Sequence, residues 1–134
     1  MFKTVLFPID QSRESREAAE TVAKLVNHHH SRLVILSVVE SVDGEAGGDM
    51  MTSPEAIAEL LASAKSLFAQ HGITAETIER EGKPAFTICD VADEVEAELI
   101  VMGCRGIGLT EEGVAESVTN RVINLSPCPV LIVP

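Results

Sequence analysis

The residues best suited to chemistry follow a short apolar run near the C-terminus. The run Leu99–Met102 leads directly into Gly103-Cys104-Arg105-Gly106, and a second apolar run, Val130–Val133, follows a helical stretch. Glycines directly after a parallel strand allow backbone N–H groups to face outward at the N-terminus of the next helix, where they favour anions such as phosphate. The pattern therefore predicts a phosphate or nucleotide site in this segment.

Glu116 opposes that interpretation, because it stands immediately before Ser117, where a loop around a polyphosphate needs a third glycine. Two like charges about 4 Å apart repel by roughly 4 kcal/mol at an effective dielectric constant of about 20. A charge-assisted hydrogen bond contributes only about 1.5–3 kcal/mol. Phosphates are therefore tolerated only if the Glu116 carboxylate points into solvent or helps to hold a divalent cation that bridges them.

Apolar segments alternate with helical ones along the whole chain. The predicted strands are Thr4–Ile9, Arg32–Val39, Ile73–Arg80, Leu99–Met102 and Val130–Val133. The predicted helices run from Ser15 to about Asn27, from Ser53-Pro54 to about Gln70, over about Ala85–Glu94, and from Gly113 or Val114 to Leu125. This order predicts one α/β domain over residues 1–134, an open doubly wound parallel sheet with helices on both faces.

Ligands of such sheets bind outside the carboxyl ends of the strands, at the point where the strand order reverses. We therefore expect Asp10, the Val38–Glu40 turn and Met102–Gly106 to converge on one crevice. The glycine-rich segment Ser41–Thr52 is typical of a loop that covers a site or contacts a partner.

Composition excludes several classes of function. The net charge of −11 and the absence of a Lys/Arg cluster disfavour binding to nucleic acid or to an anionic membrane. No segment has the length of a membrane span or the pattern of a signal peptide, so we expect a cytoplasmic protein. The three cysteines form no Cys-x-x-Cys pair, which fits a reducing compartment.

The same residues resemble the universal stress protein family from Thr4 to Val133. The most specific matches are Ile100–Gly106, Ser117–Val122 and Ser126–Val133, and the opening VLFPID is a further match. The resemblance implies a five-stranded parallel sheet of order 3-2-1-4-5 and a homodimer that forms through the last strand. An apolar edge strand left unpaired would promote aggregation, which agrees with dimerisation.

Members of this family that bind ATP carry the pattern G-x2-G-x9-G-S/T, and another branch that lacks it is considered not to bind ATP. Gly103 and Gly106 match the first two glycines and Ser117 the hydroxyl, whereas Glu116 takes the place of the third glycine. The resemblance thus implies that a nucleotide site includes Pro8, Asp10, Val38, Met102, Gly103, Arg105, Gly106, Ser117, Val118 and Thr119. Within it, Asp10, Val38 and Met102 match positions that line the adenosine.

The implied ligand is ATP or AMP, with Mg²⁺ accompanying ATP, in a stress-response protein that acts by regulated interaction rather than turnover. One alternative is a family member without nucleotide that acts purely as a dimeric interaction module. Another is a slow ATPase, for which the sequence offers no evident water-positioning group. We identify no catalytic residue and no metal ligand.

Two further features leave more than one interpretation open. Cys104 lies in the glycine turn, where a redox role and a spacer role are both possible. His28-His29-His30 suggests a metal site, but consecutive residues of a helix point about 100° apart and do not jointly chelate one ion. We therefore expect these histidines to mark the C-terminus of the first helix.

Overall fold

The computed structural model describes residues 1–10, 13–39, 54–103 and 114–134, with the backbone alone at 13–16 and 114–117. Strands and helices alternate along the chain as the sequence predicts. In order, they are β1 (Thr4–Pro8), α1 (Arg13–His29), β2 (Arg32–Val39), α2 (Pro54–Gln70), β3 (Ala75–Glu81), α3 (Pro84–Glu94), β4 (Leu99–Gly103), α4 (Val114–Leu125) and β5 (Val130–Val133).

The five strands form one parallel sheet in the order β3-β2-β1-β4-β5, and this confirms the predicted topology. β1 is the central strand, where Leu6 pairs with Val34 of β2 on one side and with Ile100 of β4 on the other. These strands are apolar almost throughout because helices cover both faces of the sheet. The strand order reverses between β1 and β4, so the carboxyl ends of these strands border a crevice.

Alternate residues of the strands enter two separate apolar cores. Val5 and Phe7 belong to the core beneath α1 and α2, whereas Leu6 and Leu36 belong to the core beneath α3 and α4. α3 and α4 pack against one another, but α1 packs closest to β4 and α2 packs closest to β2 and β3. As a result, β1 lies beneath a gap between α1 and α2.

The connection from α2 to β3 differs in register from the sequence prediction. α2 ends at Gln70 as expected, and Gly72 follows it in a left-handed conformation with φ +76°. The Ile73 N–H then donates to the Phe68 carbonyl at 3.0 Å, which caps the helix. Because this cap occupies the backbone of Ile73, β3 begins at Ala75 and not at Ile73.

The two edge strands of the sheet have opposite chemistry. β3 reads AETIERE and exposes its three glutamates. Ion pairs connect it to its surroundings, Arg32 to Glu76 at 2.6 Å and Arg80 to Glu94 at 2.9 Å. β5 reads VLIV, and its Leu131 is 37% exposed. The sheet therefore presents one charged edge and one apolar edge.

Candidate functional site

The carboxyl ends of β2, β1 and β4 lie side by side and carry half of the residues predicted for a nucleotide site: Pro8, Asp10, Val38, Met102 and Gly103. Pro8 pairs with Leu36 across β1 and β2, so Asp10 lies level with Val38 along the strand direction. Met102 and Gly103 are the last two residues of β4, the other neighbour of β1. The fold thus places these residues at one edge of the sheet.

α4 contributes three more of the predicted residues, Ser117, Val118 and Thr119, and the side chains of Val118 and Thr119 are half-buried. Val118 packs against the same apolar core as Met102. Thr119 follows it on α4. α4 starts at Val114, one of the two predicted starting residues, and the packing of Val118 holds its second turn against the core that contains Met102.

The predicted residues are divided between the two faces of the sheet. Val38, Met102 and Val118 pack on the side of α3 and α4, whereas Asp10 lines a cavity on the side of α1 and α2. A ligand that contacts all four residues would therefore lie across the end of the sheet rather than against one face.

The cavity beside Asp10 has a volume of about 550 Å³, within the usual range for small-molecule pockets. Its walls come from the end of β1, from α1 and above all from α2. The lining residues are Phe7, Ile9, Asp10, Ala19, Ala56, Glu59, Leu60, Ser63, Ala64, Leu67 and Phe68. Sequence reasoning missed the α2 residues, although most of them form a stripe at helical spacing beside the buried positions Ile57 and Leu61.

Comparison with known proteins decides the family. The sequence profile of the family described as "Universal stress protein family" matches residues 1–134. The chain belongs to the universal stress protein family. This universal stress protein is 67% identical over 138 residues to Universal stress protein Sll1654 of Synechocystis sp., a match that covers 100% of the chain and 87% of the relative.

Solved universal stress proteins share the fold. Universal stress protein UspA from Lactobacillus plantarum superimposes with a TM-score of 0.81 at 25% identity and covers 99% of this chain and 98% of its own. A universal stress protein solved in complex with cAMP gives a TM-score of 0.78 at 24% identity and covers 98% of this chain and 97% of its own.

The structure describes only part of the glycine motif of this universal stress protein. Gly103 ends β4, whereas Arg105 and Gly106 lie outside the described residues, as do Cys104 and Ser41–Thr52. Glu116 and Ser117 belong to α4, but their side chains are not described. The structure therefore places the residues predicted to line the adenosine, and the phosphate-binding turn stays a prediction.

Arg80, a cation next to the strand ends, forms an ion pair with Glu94. Arg80 lies opposite Val38 in the register of β2 and β3. Its guanidinium donates two hydrogen bonds of 2.9 Å to the Glu94 carboxylate, and these bonds raise the pKa of Arg80 and lower the pKa of Glu94. The pairing balances the charge of Arg80 on the side of α3.

Two described cysteines have the environment of structural residues. Cys89 and Cys128 both pack at the margin of the core beneath α3 and α4. Burial raises the pKa of the Cys89 thiol and of the Cys128 thiol. Because the thiolate is the nucleophilic form of cysteine, burial makes both side chains less reactive at neutral pH.

The histidine run lies where the sequence places it, at the C-terminus of α1, although the helix continues to His29 and not only to Asn27. The rings of His28 and His29 meet edge to face at 4.9 Å, and Phe2 contacts His29 in the same manner at 5.3 Å. Within the described ranges, no three His, Cys, Asp or Glu side chains are arranged to hold a metal ion. In the same ranges, no helix combines the length and apolar character of a membrane span.

Proposed function

We propose that this universal stress protein binds an adenine nucleotide across the carboxyl ends of β2, β1 and β4. The observation that carries the proposal is the alignment of Asp10, Val38 and Met102 at the end of three adjacent strands. Val38 is half-buried and offers apolar contact for a base or ribose, and Asp10 offers a hydrogen-bond acceptor for donors on either group. The position is also the point where the strand order reverses, which is where doubly wound sheets bind ligands.

The structural neighbour in complex with cAMP supports the adenine part of the proposal. It has the same fold and holds an adenosine with a single phosphate. A monophosphate also suits this chain, because Glu116 replaces the third motif glycine and its repulsion grows with each added phosphate charge. We therefore expect AMP to bind more tightly than ATP, and Mg²⁺ to reduce the difference.

The residues at the strand ends favour a binding role over catalysis. Beside Asp10, the described positions are Pro8, Val38, Met102 and Gly103, whose side chains transfer no protons. Nucleotide occupancy then acts through the surface that the protein presents to a partner, and not through turnover.

Thermal unfolding of the purified protein with AMP, ADP and ATP, each with Mg²⁺ and with a chelator, tests the proposal. A ligand that binds only the native state raises the midpoint by mass action. Asp10→Ala should weaken the affinity for AMP about tenfold, because the loss of one hydrogen bond costs about 1.4 kcal/mol of binding free energy. Glu20→Ala, which removes an exposed carboxylate from α1, is the matched control. If no nucleotide raises the midpoint of the wild type, the proposal fails.

A second candidate function is a dimeric interaction module without nucleotide, and the exposed apolar side chains near β5 favour it. Leu131 of β5 is 37% exposed, and Ile123 and Leu125 of α4 are 49% and 47% exposed. β5 has a single neighbouring strand, β4, so its open edge can pair with a second copy.

Sedimentation velocity distinguishes this surface from others on the molecule. Leu131→Lys should convert a dimer to a monomer, because it places a charge in the apolar edge. Leu67→Lys is the control, since Leu67 is equally exposed at 37% but lies on α2. A wild-type monomer, or dissociation by both variants alike, would rule out pairing through β5.

A further inference from the structure

The gap between α1 and α2 forms a long apolar groove above β1. Phe7 and Phe68 form its floor, fully buried and in edge-to-face contact at 6.1 Å. Leu60 and Leu67 of α2 form one wall. The stretch of α2 that lines the groove, from Ala56 to Leu67, spans three helical turns, or about 16 Å at the usual rise per residue.

The groove exists because of where the helices lie and which residues face it. α1 packs toward β4 and α2 toward β2 and β3, so the two helices leave the space above β1 open. Ala19 of α1 and Ala56 and Ala64 of α2 line this space with methyl groups. Larger side chains at these three positions would fill it.

The charged groups of the groove lie toward one end, and the hydroxyl group of Ser63 lies further along α2. Asp10 follows the carboxyl end of β1, and Glu59 lies in the second turn of α2, which starts at the same edge of the sheet. At the opposite end, Leu67 and Phe68 offer only hydrocarbon. The groove is therefore acidic at the edge of the sheet and, apart from Ser63, apolar along the rest of its length.

We infer that this groove binds a small amphipathic cation, with a hydrocarbon body along the floor and an ammonium group beside Asp10 and Glu59. The apolar length disfavours a strongly hydrophilic ligand, since the polar groups of such a ligand would lose their water without gaining hydrogen-bond partners. The two carboxylates and the net charge of −11 disfavour a fatty-acid anion. The groove lies on the face of α1 and α2, whereas Val38 and Met102 pack on the face of α3 and α4, so this site is distinct from the one proposed above, although Asp10 borders both.

Three probes of similar length and different head group test the inference: octylamine, octan-1-ol and octanoate. Their affinities for the full chain are measured by isothermal titration calorimetry, with saturation-transfer NMR to detect weak binding. We expect octylamine to bind at least tenfold more tightly than octanoate, with octan-1-ol between them. Equal affinity for the three probes, or no binding of octylamine, overturns the inference.

Matched substitutions on α2 locate the binding. Ala64→Phe fills the groove and should abolish octylamine binding, whereas Ala62→Phe places the same ring on the exposed side of the helix and should leave it unchanged. If Ala64→Phe does not fold, Ser63→Phe serves in its place, because Ser63 lines the groove from an exposed position. Binding that survives substitution at both positions overturns the proposed location.

The head-group assignment and the nucleotide proposal are separated by two further measurements. Glu59→Gln should weaken octylamine at least fivefold and leave octan-1-ol unchanged, and an equal loss for both would refute the role of the charge. AMP is titrated into Ala64→Phe in parallel. Retained AMP binding with lost octylamine binding is expected, while a failure of AMP to bind the wild type would contradict only the nucleotide proposal.

Discussion

Substitution of the two phenylalanines at the floor of the groove provides a quantitative test of the core. Phe7 and Phe68 contact each other edge to face, at a centroid distance of 6.1 Å and an interplanar angle of 90°. Such a pair contributes about 0.5–1.5 kcal/mol beyond the burial of its surface. A Phe→Leu change keeps most of the apolar volume and adds up to about 1.5 kcal/mol of repacking cost. Each single substitution should therefore lower the free energy of unfolding by about 0.5–3 kcal/mol.

The aromatic contribution is isolated by a double-mutant cycle. Because either substitution alone removes the pair, the double variant should lose about 0.5–1.5 kcal/mol less than the sum of the single variants. Urea unfolding monitored by circular dichroism, at one fixed protein concentration, measures each free energy of unfolding. The control cycle combines Phe68→Leu with Ile88→Val, since Ile88 is buried in the core on the opposite face.

The control cycle should be additive within about 0.3–0.5 kcal/mol. If the Phe7 and Phe68 substitutions are also additive within that limit, the edge-to-face geometry contributes nothing and the reasoning is refuted. A coupling as large in the control cycle would show that the two cores respond as one, which contradicts their separation by the sheet.

Three further predictions concern the backbone, an ion pair and the thiols. Gly72→Ala should lower the free energy of unfolding, measured in urea, by about 1 kcal/mol, because φ is +76° and a residue with a side chain is strained there. The new methyl group meets no atom within 4 Å, so this loss would come from the backbone alone, and an unchanged free energy of unfolding would refute the strain. Arg32 lowers the pKa of Glu76, so Arg32→Ala should lower the free energy of unfolding by about 0.2–1 kcal/mol at pH 7. The difference between the variant and the wild type should vanish as the pH falls below about 4, because protonated Glu76 no longer benefits from the ion pair. A difference that does not depend on pH would contradict this prediction. Cys89 and Cys128, whose pKa values are raised by burial, should be alkylated by iodoacetamide at pH 8 more slowly in the folded protein than in urea, as followed by mass spectrometry.

The fold of this universal stress protein could be predicted from sequence because four strands are short apolar runs, β3 lies in a segment of alternating apolar and polar residues, and each helix has its own periodicity. Arg32–Val39, for example, is apolar enough to require cover on both faces. The prediction was wrong by two residues at the start of β3. There Ile73 is buried and apolar, like a strand residue, but its N–H bonds to Phe68 in the helix cap.

The strand-end part of the candidate site follows from the topology alone, because the residue after a parallel strand always lies at the same edge of the sheet. Asp10, Val38 and Met102 could be placed in this way. The groove could not, because it depends on the lateral position of α1 above β4 and of α2 above β2 and β3. The sequence around Ala56 and Ala64 does not indicate the distance between α2 and the facing helix α1.

The unlike edges of the sheet also limit how copies of the chain can add to one another. Pairing of one β5 with another β5 is self-complementary, so it consumes both apolar edges and closes after two molecules. Pairing of β5 of one copy with β3 of the next would instead leave one edge free at each end, so that copies could add indefinitely into a continuous sheet. The exposed glutamates of β3 oppose such growth, because charged side chains on an edge strand disfavour its pairing with an apolar strand. We therefore expect the charged margin of the sheet to disfavour the open-ended addition of further copies.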